Sequence, residues 1–192
     1  LHPVMDRVVT RGGWTRFRGR RRQFNATVKG LNVVARSVAE FGLTVPQKFS
    51  TPLFVVWNFT NRCNLRCKHC YQDSDAGCLS GELSRQEKLD LVGQMDDLDI
   101  PMLAISGGEP TLSADLLPVI RRASRAGMHL SLATNGTTLT PDRCAELRDA
   151  GLRYVEVSLD SVDPEKHDRF RGIDGMWRRA VAGARNVVAT EG

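Results

Sequence analysis

The chain alternates short apolar segments with longer stretches whose apolar residues recur at helical spacing, and this alternation constrains its fold most strongly. Four segments rich in aliphatic, β-branched or aromatic side chains are predicted strands, at residues 54–59, 102–106, 129–134 and 154–160. A predicted helix follows each strand. These helices begin at Ser84, near residue 114, at Thr140 and near residue 175. A strand–helix pattern repeated in this way predicts an α/β protein with a parallel sheet.

Local signals set the ends and inner faces of the predicted helices. Ser84 and Glu87 form a capping box. Pro141 occupies the first helical position after the Thr140 cap, and Gly151 ends that helix. We expect the helix after Ser84 to bury Leu91, Met95 and Leu98. We expect the last helix to place Trp177, Val181, Ala184 and Val188 on one face.

The residues before the first strand divide into a basic arm, a helix and a linker. Residues 1–23 form the arm, and residues 1–30 contain eight arginines and lysines against one aspartate. Apolar residues at helical spacing from Phe24 predict a helix that ends at Gly42 and packs on the following domain; a membrane-surface or partner helix is the alternative. A linker completes residues 24–51, and the core domain covers 52–192. The arm is either a solvated tail or a contact for nucleic acid or acidic lipid.

Composition and charge exclude several classes of protein. A hydrophobic content of 41% argues against disorder over most of the length. No window approaches the ~18 apolar residues that a membrane span requires. No nucleic-acid-binding motif accompanies the basic arm. The N-terminus is charged where a signal peptide needs its apolar centre, so we expect a cytoplasmic protein.

The four predicted strands leave a sheet edge unpaired. The sequence also starts at Leu1 rather than at a methionine. We therefore expect the chain to be the N-terminal part of a longer protein, truncated after the fourth strand–helix unit.

Three of the five cysteines lie within eight residues: Cys63, Cys67 and Cys70. This clustering suits a metal site in a reducing compartment better than a disulfide framework. Thiolates at these spacings can hold one face of an iron–sulfur cube and leave the fourth iron without a protein ligand. The alternative is a closed site, either zinc or a four-cysteine cluster, with Cys78 or His69 as the fourth ligand.

Unusual residues follow every predicted strand. The cysteine loop follows the first, Gly107–Pro110 the second, Thr134–Gly136 the third, and Ser158–Asp160 end the fourth. Because ligands of parallel α/β folds bind at the carboxyl ends of the strands, these residues predict a single site.

The motifs Cys-x₃-Cys-x₂-Cys, GGEP, TNG and SLD, in this order on successive strand ends, resemble the radical S-adenosylmethionine (SAM) superfamily. The resemblance covers about residues 52–190 and implies a partial (β/α) barrel. It also implies that Cys63, Cys67 and Cys70 bind a [4Fe–4S] cluster whose open iron chelates SAM. One-electron cleavage of SAM would then produce a 5′-deoxyadenosyl radical that abstracts hydrogen from the substrate, so no protein side chain is assigned as catalytic.

The same resemblance assigns a SAM contact to eight further residues. Gly107 and Gly108 would let the backbone approach SAM, and Glu109 would offer its carboxylate to the ammonium group. His69 stands where the family often has an aromatic residue near the adenine, which is a departure. The carboxylate or ribose of SAM would be contacted by Asn135, Ser158, Asp160 and Arg171.

The residues of these motifs are similar to those of the SPASM-type subgroup. This subgroup includes maturases of peptides and quinone cofactors and enzymes of alternative haem synthesis. The similarity implies a peptide or tetrapyrrole substrate, with the peptide slightly favoured, and a reductase or a flavodoxin- or ferredoxin-type electron donor. The competing hypothesis is a non-enzymatic metal-binding or electron-transfer module with a closed iron–sulfur or zinc site, or a zinc-stabilised protein that binds nucleic acid through the basic arm.

Overall fold

The four predicted strands pair side by side in chain order. The computed structural model describes residues 25–77 and 81–190. The strands are β1 (Phe54–Asn58), β2 (Met102–Ser106), β3 (His129–Thr134) and β4 (Tyr154–Val157). Each strand pairs in parallel with the next, and the sheet order is β1-β2-β3-β4. The predicted α/β class with a parallel sheet is confirmed.

The helices of the described residues begin and end mostly where local capping signals predicted. They are α1 (Ala26–Phe41), α2 (Arg85–Asp97), α3 (Leu116–Arg125), α4 (Pro141–Ala150), α5 (Pro164–Arg171) and α6 (Met176–Ala189). Ser84 and Glu87 form the predicted capping box of α2. Thr140 caps α4, and Gly151 ends it in the left-handed conformation.

One face of the sheet is packed and the other is open. Leu103, Ile105, Leu130 and Leu132 are fully buried against the helices. On the opposite face Val56 is largely exposed, as are Phe54, Met102 and Tyr154. Within the described residues, helices therefore cover only one face of the sheet.

The predicted inner faces of two helices are partly wrong. In α2 the buried positions are Lys88, Val92 and Met95, whereas Leu98 is 45% exposed just beyond the helix end. In α6 the small residues Ala180 and Gly183 face inward with Met176, and Val188 is 85% exposed. Gly183 is required there because an added Cβ would lie 2.1 Å from the carbonyl oxygen of Gly136. Close packing of α6 on the loop after β3 selects small residues over large apolar ones.

Helix α5 was not predicted from the sequence, and β4 is shorter than predicted. Strand β4 ends at Val157, so Ser158 and Asp160 lie in the loop that follows. Asp163 then caps α5 by accepting N–H bonds from Glu165 and Lys166. This short helix is dominated by charged residues and has no apolar stripe to mark it.

Helix α1 packs on the domain as predicted. The ammonium of buried Lys29 lies 2.7 Å from the carboxylate of Asp96, and Gly30 faces Pro101. Pro101 directly precedes β2, so α1 lies at the amino end of this strand, opposite the predicted site. The predicted basic arm lies outside the described residues. Among the helices of residues 25–77 and 81–190, none has the length and apolar content to cross a membrane.

Candidate metal and cofactor site

The three clustered cysteines lie on the loop that follows β1, and all are free thiols. Each sulfur accepts at least one N–H hydrogen bond. The backbone N–H of Leu65 lies 3.4 Å from Cys63 Sγ, and that of Ser74 lies 3.3 Å from Cys70 Sγ. Cys67 Sγ accepts from Nη1 of Arg171 at 3.5 Å. Such bonds stabilise negative charge on sulfur, as a thiolate ligand requires.

The loop gives two of these thiols different acidities. Burial raises the pKa of Cys63, and the nearby Glu109 adds to this effect, although the Leu65 N–H opposes it. Burial also acts to raise the pKa of Cys70. Hydrogen bonds from Ser74, Gln72 and Asp73 outweigh this, so the pKa of Cys70 is lowered. Cys70 therefore forms its thiolate more readily than Cys63.

The second half of the cysteine loop is fastened to α5. The backbone N–H groups of Arg66 and Lys68 donate to the carbonyls of Arg171 and Phe170 at 3.1 and 3.0 Å. The exposed His69 ring stacks on Phe170 with 4.3 Å between ring centroids. Helix α5, which was not predicted from the sequence, thus supports this loop.

The first half of the loop is fastened to the GGEP segment. The N–H of Gly108 donates to the carbonyl of Thr60, and that of Glu109 to Arg62, both at 2.8 Å. A Cβ on Gly108 would lie 2.5 Å from the carbonyl oxygen of Arg62. A Cβ on Gly107, whose φ is +120°, would lie 2.7 Å from the carbonyl oxygen of Thr60. The cysteine loop therefore lies against the Cβ side of both glycines. The expected approach of their backbone to SAM stays a prediction.

The Glu109 carboxylate is fully buried and hydrogen-bonded. Its Oε1 accepts from the Thr111 N–H and from the hydroxyls of Thr111 and Thr134, while Oε2 accepts from the Asn135 N–H. These four bonds join the ends of β2 and β3. The expected contact of Glu109 with an ammonium group stays a prediction.

Asn135 connects the loop after β3 to the cysteine loop. Its side-chain amide donates to Asn64 Oδ1 at 2.8 Å, and its own Oδ1 accepts from the N–H and hydroxyl of Thr137. The Asn64 amide in turn donates to the Thr137 hydroxyl. Sequence reasoning missed Asn64, Thr111 and Thr137. The position of Asn64 inside the cysteine motif is the one sequence feature that could have indicated its role in the site.

Asp160 and Arg171 form a pair beside Cys67. Nε and Nη2 of Arg171 donate to the two carboxylate oxygens of Asp160 at 2.5 and 3.2 Å. Burial acts to lower the pKa of Arg171, but the bonds to Cys67 and Asp160 outweigh it and the pKa is raised. Ser158 lies at the end of β4, and its N–H donates to the carbonyl of Thr134.

A cleft of about 350 Å³ opens beside the cysteine loop and the loop after β4. Its lining residues are Lys68, Asp160, Ser161, Lys166, Arg169 and Phe170. Three of these are basic, and the only acidic one, Asp160, is paired with Arg171. The cleft is therefore chemically suited to an anionic partner.

Three cysteine sulfurs on one loop are a suitable donor set for an iron–sulfur cluster. Within residues 25–77 and 81–190, no three His, Cys, Asp or Glu side chains are grouped so that they could hold one metal ion. A cube takes one thiolate at each of several irons, so its cysteines can stand further apart. Cys78, a candidate fourth ligand, lies outside the described residues.

The structure thus places the predicted residues at one end of the sheet and joins them by direct contacts. Glu109 bonds to Asn135, Asn135 to the cysteine loop, and Arg171 to both Cys67 and Asp160. Ser158 is linked through the backbone of Thr134, and His69 through Phe170.

Proteins of known activity are similar in sequence to this chain. An AdoMet-dependent heme synthase of Methanosarcina barkeri (strain Fusaro) is 38% identical over 70% of this chain and 38% of that protein. A PqqA peptide cyclase of Rhizobium meliloti (strain 1021) is 35% identical over 75% of this chain and 38% of that protein. The chain thus spans well under half the length of these relatives.

The fold is similar to that of solved radical SAM enzymes. SuiB of Streptococcus suis, solved bound to S-adenosylmethionine, matches 80% of this chain and 32% of its own, with a TM-score of 0.60 and 17% identity. The model of the Radical SAM superfamily, whose members use a [4Fe–4S] cluster and SAM, matches residues 57–189. The resemblance in the motifs is confirmed, and the chain belongs to the radical SAM superfamily.

Proposed function

We propose that this chain is the part of a radical SAM enzyme that binds the [4Fe–4S] cluster and SAM. Cys63, Cys67 and Cys70 would hold the cluster. The observation that carries this proposal is the hydrogen bonding of the three sulfurs. Cys63 and Cys70 accept backbone N–H groups of their own loop, and Cys67 accepts a guanidinium N–H of Arg171 in α5. Three thiolates prepared in this way leave one iron of a cube free for SAM.

When bound, the cluster and SAM supply one-electron reductive cleavage of SAM and abstraction of hydrogen from the substrate. The protein's part is to hold and orient them. The cysteine loop does so because it is fastened on one side to Gly108 and Glu109 and on the other to Phe170 and Arg171. Cys63 is buried with Leu65 and Met176, so water has little access to that sulfur.

The residues around the cysteines divide into two proposed roles. Ser158, Asp160, Arg171 and the exposed ring of His69 offer polar groups to SAM. Three of the five N–H donors of Arg171 are already used, which leaves two for a SAM carboxylate.

The remaining residues of the site are proposed to hold the strand ends and the cysteine loop in place. Glu109 and Asn135 act through the bonds that hold the strand ends together. Gly107 and Gly108 contribute their backbone, with the cysteine loop against their Cβ side.

The proposed reaction modifies a peptide or a tetrapyrrole in cofactor maturation. Support comes from the names of the relatives, which are heme synthases and PqqA peptide cyclases. Their identities of 30–38% do not separate the two substrate classes.

We propose a cytoplasmic location because free thiols and an oxygen-sensitive cluster require a reducing compartment.

The proposed electron donor is a flavodoxin- or ferredoxin-type protein. The basic cleft beside the cysteine loop supports this, since Lys68, Lys166 and Arg169 would attract an acidic protein surface. Lys68 lies between Cys67 and Cys70, so a protein docked there would be close to the cluster.

The test is release of 5′-deoxyadenosine from SAM. The full-length protein should be reconstituted anaerobically with iron and sulfide, reduced, and incubated with SAM. Wild type should release 5′-deoxyadenosine, and Cys67→Ala should lose this activity. Cys144→Ala is the matched control because Cys144 is buried in α4 among core residues, and it should retain the activity. Equal release by Cys67→Ala and wild type would overturn the proposal.

A further inference from the structure

Arg171 makes a contact that binding of SAM does not explain. Its Nη1 lies 3.5 Å from Cys67 Sγ, although the two residues are separated by 104 positions in the sequence. The Arg171 side chain is only 11% exposed. A guanidinium therefore sits against a proposed cluster ligand, in a place where solvent screens its charge poorly.

Two further contacts fix the guanidinium in this position. Asp160 holds it through a bidentate pair, which sets the orientation of the planar group. The Arg171 carbonyl accepts the N–H of Arg66, so the backbone is also tied to the cysteine loop. The N–H that reaches Cys67 is thus held by its surroundings rather than by the sulfur alone.

The other side of Asp160 is held by a buried histidine. The Asp160 N–H donates to His167 Nδ1 at 3.3 Å, so this nitrogen carries no proton. His167 is almost fully buried, and burial together with the nearby Arg171 lowers its pKa. The positive charge that contacts Cys67 is that of Arg171.

We propose that Arg171 tunes the cluster: by donating to Cys67 and fixing a positive charge beside it, Arg171 raises the reduction potential of the [4Fe–4S] cluster. This inference rests on the proposed function. Uptake of one electron makes the cluster more negative, and an adjacent cation and an N–H···S bond stabilise this reduced form more than the oxidised form. A higher potential makes reduction by a one-electron donor easier.

The test is a redox titration of the reconstituted full-length protein, monitored by electron paramagnetic resonance in the absence of SAM. Leaving SAM out separates this role from any contact between Arg171 and the SAM carboxylate. Arg171→Gln should give a lower midpoint potential than wild type, at equal iron and sulfide content. Arg178→Gln removes the same charge from an exposed position on α6, close to Met176, and its midpoint should stay at the wild-type value.

Arg171→Lys keeps the charge but loses the planar donor, so its midpoint should lie between those of wild type and Arg171→Gln. If Arg171→Gln fails to assemble a cluster, the comparison of Arg171→Lys with wild type decides. Equal midpoints in wild type and the Arg171 variant that holds a cluster would overturn the inference. Failure of the wild type itself to bind a cluster would instead refute the proposed function.

Discussion

The carboxylate of Glu109 and the backbone N–H of Asn135 lie 2.7 Å apart and join the loop after β2 to the loop after β3. Asn135 continues this connection to Asn64 in the cysteine loop. Three strand ends are thereby held together by one buried carboxylate and one amide side chain. The GGEP and TNG motifs thus act as parts of one framework around the cysteines.

Substitution Glu109→Gln should destabilise the protein by about 2 kcal/mol. All four hydrogen bonds to the carboxylate come from donors, and the amide NH₂ of glutamine would face one of them without an acceptor. Thermal unfolding of the apoprotein measures this effect. Glu146→Gln, at an exposed pair with Arg143, is the matched control and should change stability by less than ~1 kcal/mol. Equal losses in the two variants would contradict the proposed framework role.

Substitution Gly108→Ala should lower the iron content after reconstitution. The added methyl would lie 2.5 Å from the Arg62 carbonyl, so the cysteine loop must shift. Gly93→Ala is the control, because its methyl would meet only the end of the Arg122 side chain at 3.6 Å, inside α2. We expect Gly93→Ala to keep full iron content and gain about 0.5–1 kcal/mol of stability. The cluster content is measured by iron and sulfide analysis. Full cluster content in Gly108→Ala would refute the prediction that a methyl group at this position displaces the cysteine loop.

The two cysteine environments predict different alkylation rates in the apoprotein. Hydrogen bonds lower the pKa of Cys70, so a larger fraction is thiolate at any pH below its ordinary pKa. Burial raises the pKa of Cys63, which is also shielded. Iodoacetamide at pH 7.5 should therefore modify Cys70 faster than Cys63, as measured by mass spectrometry of the peptides. Buried Cys144, whose pKa is also raised by burial, serves as the slow reference. Faster modification of Cys63 would show that the loop is arranged differently.

Charge reversal in the cleft should slow reduction by a protein donor. Lys68→Glu and Arg169→Glu should each reduce the rate of cluster reduction by an acidic flavodoxin, with the largest loss at low ionic strength. Arg178→Glu, on α6 outside the cleft lining, should leave this rate close to wild type. Reduction by a photoreduced small flavin should change much less than reduction by the flavodoxin in all three variants. Stopped-flow absorbance measures both reactions; equal losses with protein and small-molecule reductants would argue against docking at the cleft.

Features encoded by nearby residues could be predicted from the sequence. The capping box of α2 and the Thr140–Pro141 start of α4 each depend on contacts within one helical turn, so their residues identify them directly. The strands were located by their apolar runs, and the common end of the sheet follows from the parallel topology. The positions of the cysteine, GGEP and TNG motifs in the fold could thus be predicted without coordinates.

The roles of individual site residues could not be predicted, because they depend on contacts between distant parts of the chain. The partners of Glu109 include Thr134 and Asn135, about one strand–helix unit away, and nothing in GGEP shows that its carboxylate is enclosed. Helix α5 lacks an apolar stripe and is stabilised by its Asp163 cap and by contacts with the cysteine loop. The inner face of α6 was misjudged because close packing at Gly183 outweighs side-chain hydrophobicity.

Three cysteines are proposed to hold a [4Fe–4S] cube with one iron open to SAM. The electron paramagnetic resonance spectrum of the reduced, reconstituted full-length protein, recorded with and without SAM, tests this arrangement. We expect a [4Fe–4S]⁺ signal whose g-values shift when SAM is added, because SAM would bind the free iron. A signal unchanged by SAM, or protein that binds zinc and assembles no cluster, would overturn the proposed site.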